Sequence, residues 1–290
     1  MEPTLRRVLL ARGAFFRRLI SGLAAAALAL VILPASLVAQ TDYYNTDAGR
    51  PVTVEDAYAT ERYAFELQLA PLRIERANGG VYTWGIEPEM AYGILPRTHI
   101  EVGVPLAYVD RGPLGKTVGA AGLDISVLHN LNAETAIPAL GVAGELLLPF
   151  GGLAAENAYF SAKGIATRTL TWARFHFNGR YTFGKTPIAA SPGATEPGAG
   201  EVSRWLVGMA VDRSLPLKSM LVTAESFVSQ PIQDGDEAEW NVGAGIRYQV
   251  SPQFALDGGV GKRFTGDDQG WFATFGLARA FSIRSLIPVR

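Results

Sequence analysis

Trp240-Asn241-Val242-Gly243-Ala244-Gly245-Ile246-Arg247-Tyr248-Gln249-Val250 sets an apolar residue at every second position, with a polar residue or glycine between them for most of its length. After Ser251-Pro252-Gln253 the rule resumes, with Phe254, Leu256, Gly258 and Val260 against Asp257, Gly259, Gly261 and Arg263. A second break over 265–270 leads into Trp271, Ala273, Phe275, Leu277 and Phe281. Strand side chains alternate between two faces, so each run has one greasy face and one polar or glycine-rich face. The stretch predicts antiparallel strands joined by turns.

The second face decides the surroundings. It is mostly glycine and alanine with scattered charges, whereas the water-facing side of a soluble sandwich would be more heavily charged. Runs of about ten residues with apolar-out and small-or-polar-in alternation are what a transmembrane barrel requires. The aromatic positions agree: Trp240, Phe264 and Trp271 fall at one end of their strands, and Tyr248, Phe254 and Phe281 at the other. Such rings prefer the boundary between lipid and water. The predicted fold is all-β, a transmembrane antiparallel up-and-down β-barrel.

Working outward, the same alternation recurs along the chain. It gives Phe65, Leu67 and Leu69; then Trp84, Ile86, Met90 and Tyr92 after the Asn78-Gly79-Gly80 turn; then Ile100, Val102, Leu106 and Tyr108. Pro105 removes a ladder donor and predicts a bulge. Further runs carry Leu123, Ile125 and Val127; Leu140, Val142, Leu146 and Leu148; a faint strand near 159–167; Phe175, Phe177, Tyr181 and Phe183; Trp205, Val207, Met209 and Val211; and a strand near 220–228. The total is about twelve, an even number as bacterial barrels require. The stretch 185–200, rich in Pro, Ala and Gly, reads as a mobile loop, and Asp234, Asp236 and Glu237 as an exposed acidic one.

At the N-terminus, Arg6, Arg7, Arg12, Arg17 and Arg18 precede an apolar run over 19–38, the layout of a signal peptide cleaved near Ala39, with a transmembrane anchor as the other reading. The expected organisation is a signal peptide over 1–39, a periplasmic segment or small plug over 40–60, a barrel over 61–281 and a periplasmic tail over 282–290. The 290 residues carry a net charge of -1, which points away from nucleic acid. Cysteine is absent, which suits a chain crossing an oxidising periplasm unfolded. The expected location is the bacterial outer membrane, with lipid and the barrel-assembly machinery as partners and the oligomeric state open.

Gly49-Arg50-Pro51-Val52-Thr53-Val54-Glu55-Asp56-Ala57 ahead of Phe65-Glu66-Leu67 resembles the opening of the MetA-pathway-of-phenol-degradation family of barrels. Leu148-Pro149-Phe150-Gly151, Arg174-Phe175-His176-Phe177-Asn178 and Gly245-Ile246-Arg247-Tyr248 resemble its later strands, so the similarity spans almost the whole mature chain. The resemblance implies a transporter-like outer-membrane protein that helps small aromatic or hydrophobic compounds across. The chain departs from the general barrel pattern in continuing beyond Phe281, where the assembly machinery commonly reads a terminal aromatic.

The candidate functional residues are the inward charges that would line a lumen. Glu66, Glu87, Glu89, Glu101, Asp124 and Glu145 come from early strands, and Lys163, Arg174, Arg180, Arg204, Arg247 and Arg263 from later ones, with His176, Asn178, Glu225 and Asp257 among them. Two walls of opposite sign would set up a field across the lumen. In a narrow barrel such groups more readily pair and fill the interior. His176 with Asn178 reads as part of a hydrogen-bond network, and His99 and His129 as solvated strand ends. No metal site or cofactor is expected. A lipid hydrolase would need a serine beside a histidine; none is evident and no Gly-x-Ser-x-Gly elbow occurs, so no catalytic residue is assigned. The reading is a channel for passive entry of a small solute of unknown identity, with a pore-less structural or binding barrel as the alternative.

Overall fold

The computed structural model describes residues 46–77, 82–110, 115–185, 202–232, 236–266, 269–283 and 286. The expected signal peptide, the 78–80 turn, most of the 185–200 loop, Asp234 of the acidic loop and most of the tail after 282 lie outside the described residues. Fourteen strand segments follow one another: β1 (Ala64–Ala77), β2 (Tyr82–Leu95), β3 (Thr98–Gly103), β4 (Leu106–Asp110), β5 (Lys116–Ala120), β6 (Leu123–Asn130) and β7 (Ala139–Leu148) in the first half. The second half holds β8 (Tyr159–Thr169), β9 (Arg174–Phe183), β10 (Ser203–Ser214), β11 (Met220–Pro231), β12 (Glu239–Ser251), β13 (Phe254–Arg263) and β14 (Gly270–Ser282).

β3 and β4 both pair with β2, and are one stave interrupted at Val104-Pro105. β5 pairs with β4 and β6 with β3, so they too are one stave. The fourteen segments therefore build twelve staves, each antiparallel to its neighbours. β1 pairs with β2 on one side and β14 on the other, which closes the barrel and leaves no edge at the seam. Phe65 stacks there on Tyr92 and Phe281, at ring-centre distances of 4.4 and 5.4 Å.

β1 runs further than the alternation of Phe65, Leu67 and Leu69 announced. Its register shifts between Leu69 and Leu72 against both neighbours, a bulge containing Ala70-Pro71. One extra residue in the strand inverts parity. Beyond it Ile74 faces out, while Arg73 lies over the inward ring of Phe272 and contacts Glu75. The break at Pro105 is stitched by Val104 N–H donating to Pro88 and Ala121 N–H donating to Pro105.

The barrel is apolar outside and polar inside. Trp84, Val127, Phe177, Val207, Ile246, Val260 and Phe275 are exposed on its outer surface, a hydrocarbon-facing band. Thr167, His176, Asn178, Asp212, Glu225, Arg247 and Thr274 are buried on the inner surface. This inverts the distribution of a water-soluble sandwich.

Candidate functional site: an internal belt and the walls around it

Residues 46–62 have little regular structure of their own, yet Thr46, Arg50, Val52, Val54, Asp56 and Ala57 are buried. An extended segment has unpaired backbone groups, and burying them requires partners. The inner wall supplies these in order around the barrel. Pro51 C=O accepts from Thr274 Oγ1 of β14 at 3.0 Å. The Thr53 and Val54 amides donate to Glu225 Oε2 of β11 at 2.7 and 2.9 Å. Asn178 of β9 grips Glu55 at both ends, accepting from its N–H at 2.9 Å and donating to its C=O at 2.8 Å.

The circuit continues through Ala57, whose N–H donates to Thr167 Oγ1 of β8 and whose C=O accepts from Asn130 of β6. Thr60 N–H donates to His99 Nδ1 of β3 at 3.0 Å. Arg62 bridges Gly93 of β2, Tyr63 N–H donates to the Gly93 carbonyl at 2.7 Å, and the chain then enters β1. Residues 51–62 thus run from β14 round the inner wall to β2 as a belt. The length fits: twelve staves about 4.8 Å apart at a tilt near 40° give a wall radius of roughly 12 Å. A path about 5 Å inside that wall needs roughly 40 Å for this arc, which about twelve extended residues span.

Gaps in the side chains of the wall make room for the belt. A Cβ on Gly208 would lie 2.8 Å from Val54 Cγ2, one on Gly245 2.6 Å from Pro51 Cβ, and one on Gly93 2.0 Å from the Glu61 carbonyl oxygen. Val54 packs on Leu206, Ala210 and Phe227, and Ala57 on Leu128, Ala139 and Ile165. The glycines of the inner face, which in the sequence indicated only a small-residue face, include these contact points.

Ion pairs lock the belt at two places. Arg50 and Arg247 are both 0 % exposed. Arg50 bonds to Asp47 and to Glu66 Oε1, the latter at 3.0 Å, and Arg247 reaches Asp47 at 3.3 Å and Glu66 at 3.8 Å. Guanidinium groups so buried require such partners. Burial would raise the Asp47 carboxyl, but the Arg50 and Arg247 charges outweigh it and hold the group below the usual carboxylate range. Opposite, Lys163 meets Glu55 at 2.7 Å. Arg174 forms a two-pronged bond to Asp212 at 2.9 and 2.7 Å and lies 4.0 Å from Asp56. Burial raises the Asp56 carboxyl to about 6 despite Arg174 and His176.

His176 is fully buried between Thr167 Oγ1 and Asp212 Oδ2, each at 3.0 Å. Thr167 already accepts from Ala57 N–H, so its own hydroxyl proton is free to go to Nδ1, and Nε2–H then donates to Asp212. The hydroxyl–imidazole–carboxylate order resembles a nucleophile relay, but Thr167 is 0 % exposed beneath the belt. Its work is to hold Ala57. His99 was expected to be solvated, and that is corrected: it is buried and takes the Thr60 amide, whereas His129 is exposed.

The remaining charges do not form two open walls of opposite sign. Arg263 lies 3.2 Å from Glu239 and 3.8 Å from Glu75, and Arg180 lies 3.7 Å from Glu145 and donates to Ser203 Oγ. Arg204 sits at a register shift and donates to the Thr182 and Gly184 carbonyls at the strand ends. Asp257 is buried within the field of Arg50 and Arg247. Sequence reasoning missed Asp47, Glu55, Asp212 and Glu239 as partners for these bases. Glu87, Glu89, Glu101, Asp124 and Glu145 face the interior above the belt from β2, β3, β6 and β7, and all are half-buried.

Among the described residues, no group of His, Cys, Asp and Glu is arranged to hold a metal ion. No family model matches the chain, so the resemblance to the MetA-pathway family finds no support there. No curated protein matches it either. Among solved structures, the COG4313 outer membrane channel from Pseudomonas putida F1 is similar at 13 % identity, over 81 % of this chain and 100 % of that one, with a TM-score of 0.54. The KdgM porin in complex with disordered oligogalacturonate (10 % identity, 75 % and 99 % covered, TM-score 0.46) and the NanC porin (8 %, 73 % and 98 %, 0.47) are looser. Twelve closed antiparallel staves with an apolar outer band and a polar interior thus make this chain a membrane β-barrel of the fold seen in an outer-membrane channel.

Proposed function

We propose that this chain is a channel of the bacterial outer membrane through which small hydrophobic or aromatic molecules enter by diffusion. Its position would be that of a transporter-like barrel such as those of the MetA-pathway-of-phenol-degradation family. The observation that carries the proposal is the construction of the interior. The barrel is lined at one level by a belt on non-covalent tethers, and above that level the wall keeps half-exposed ionisable groups. A barrel serving only as a scaffold would gain more from a continuous apolar core than from a polar wall with a detachable insert. Solutes would pass along Glu89, Glu101, Asp124, Glu145 and Arg180 once the belt shifts.

The belt also favours a second reading. With its backbone bonded to six staves by side chains, it could keep the barrel shut, leaving a pore-less binding or structural protein. Single-channel recording in planar bilayers separates the two. The channel reading expects brief openings in the parent protein and a roughly 30-fold higher open probability once the belt is loosened by Asn178→Ala. Silence in both proteins supports the pore-less barrel. Uptake of labelled phenol by cells with and without the gene tests the solute class, and equal uptake removes it.

A further inference from the structure

We infer that the carboxylates on the inner face of β2, β3, β6 and β7 form a binding site for the primary ammonium group of a small apolar amine. It goes beyond the channel reading and does not require that the barrel conduct. The inference begins with geometry. Gly103 of β3 lies directly opposite Glu89 of β2 on one side and Asp124 of β6 on the other. A Cβ on Gly103 would meet Glu89 Cγ at 2.8 Å and Glu87 Oε1 at 3.2 Å, so both glutamates fold over the space it leaves. One step along the same face, Glu101 lies opposite Ser126, which donates to Glu101 Oε2 at 3.1 Å and is itself opposite Glu145. Five carboxyl groups thus converge from four adjacent staves.

The bases that might neutralise them are engaged elsewhere. Arg50 and Arg247 bond to Asp47 and Glu66, and Lys163 bonds to Glu55. Only Glu145 has an arginine within ion-pair distance among the described residues, Arg180 at 3.7 Å, and Glu101 has His99 at 3.8 Å. Glu87, Glu89 and Asp124 have no basic group within that distance among the described residues.

An independent observation indicates what is missing. Gln68 of β1 is directly opposite Glu89 on the inner face, is 1 % exposed, and its Oε1 has no hydrogen-bond partner. Gln68 Oε1 and the Glu89 carboxylate are neighbouring acceptors to which no hydrogen bond is made among the described residues, and buried acceptors are rarely left unmatched. The complement is a charged group with several N–H donors, and a primary ammonium has three. No group of His, Cys, Asp and Glu among the described residues is arranged to hold a metal ion, and an organic cation is the complement that fits.

The apolar part has a place as well. Leu147 lies on the inner face directly opposite Asp124, and Leu153 packs on Ala107 and Ala121 of the neighbouring staves. A ring or short alkyl chain resting there would leave its ammonium among Glu87, Glu89 and Asp124. Both halves of the site stand above the belt, so reaching it from the far rim does not require the belt to move.

Titration calorimetry on the full protein in a neutral detergent, with 2-phenylethylammonium and its uncharged isostere 2-phenylethanol, is the test. The ammonium compound is expected to bind at least tenfold more tightly, with the preference reduced to less than threefold in Glu89→Gln/Asp124→Asn. Unchanged heat-modifiable migration of that variant shows the barrel is intact, and single Glu89→Gln serves if the double variant does not fold. Equal affinity for the two probes, or a preference that survives the substitutions, overturns the site. Binding needs no passage through the barrel. Amine-selective binding without conductance therefore removes the channel reading and leaves the site, while conductance without amine preference does the opposite.

Discussion

Removing the Asn178 side chain should loosen the belt by an amount the structure sets. Its carboxamide makes two buried bonds to one residue, accepting from Glu55 N–H at 2.9 Å and donating to Glu55 C=O at 2.8 Å. Asn178→Ala leaves both backbone groups unpaired, each costing about 1 kcal/mol net, so the docked belt loses about 2 kcal/mol relative to the released one. That is a roughly 30-fold rise in the released fraction. The chain has no cysteine, so Val54→Cys gives a single thiol at a fully buried belt position, replacing one small side chain by another. Maleimide labelling of that thiol in liposomes reports release: slow in the protein carrying Val54→Cys alone, and roughly 30-fold faster when Asn178→Ala is added, if opening equilibrates ahead of labelling. Val207→Ala, on the exposed outer face, should change nothing. Equal labelling rates with and without the Asn178 side chain, or immediate labelling when Asn178 is present, would refute a belt held by the inner wall.

Further outcomes follow from the same contacts. Gly245→Val should release the belt through Pro51 and speed labelling of the same introduced thiol at least tenfold, because its two tightest clashes, at 2.6 and 2.8 Å, fall on Pro51, in a segment that can leave. Phe281→Ala removes one stacked partner of Phe65 at the closing seam and should lower the temperature at which heat-modifiable mobility is lost, by about 1–2 kcal/mol of stability. The Asp56 carboxyl, raised to about 6 by burial in the docked belt, returns to its ordinary value on release. The docked state thus holds the proton more tightly, and docking strengthens as pH falls from about 7 to about 5. Belt amides should then exchange hydrogen several-fold more slowly at pH 5 than at pH 7 after correction for intrinsic rates, and Asp56→Asn should flatten the dependence.

Strand parity was legible in the sequence because it is local: one residue sets the face of the next, so Trp240 through Phe281 disclosed both walls of a barrel. The bulge at Ala70-Pro71 limited that legibility, since one inserted residue inverts every later position of β1, and Arg73 and Glu75 entered the interior unannounced. Gly49 through Ala57 stood out as a motif ahead of the first strand, yet nothing in its own pattern says that it is buried. The sequence by itself determined that the chain closes a barrel with oil outside and polar groups inside, because alternation and turn residues act between near neighbours. Only the tertiary structure decided which polar groups meet: Glu225 is 171 positions from Val54 and Asn178 is 123 from Glu55. Partners so distant are chosen by the closure of twelve staves around a segment of matching length. Whether an inward charge is paired, like Arg247, or left among its own kind, like Glu89, is fixed by that closure alone.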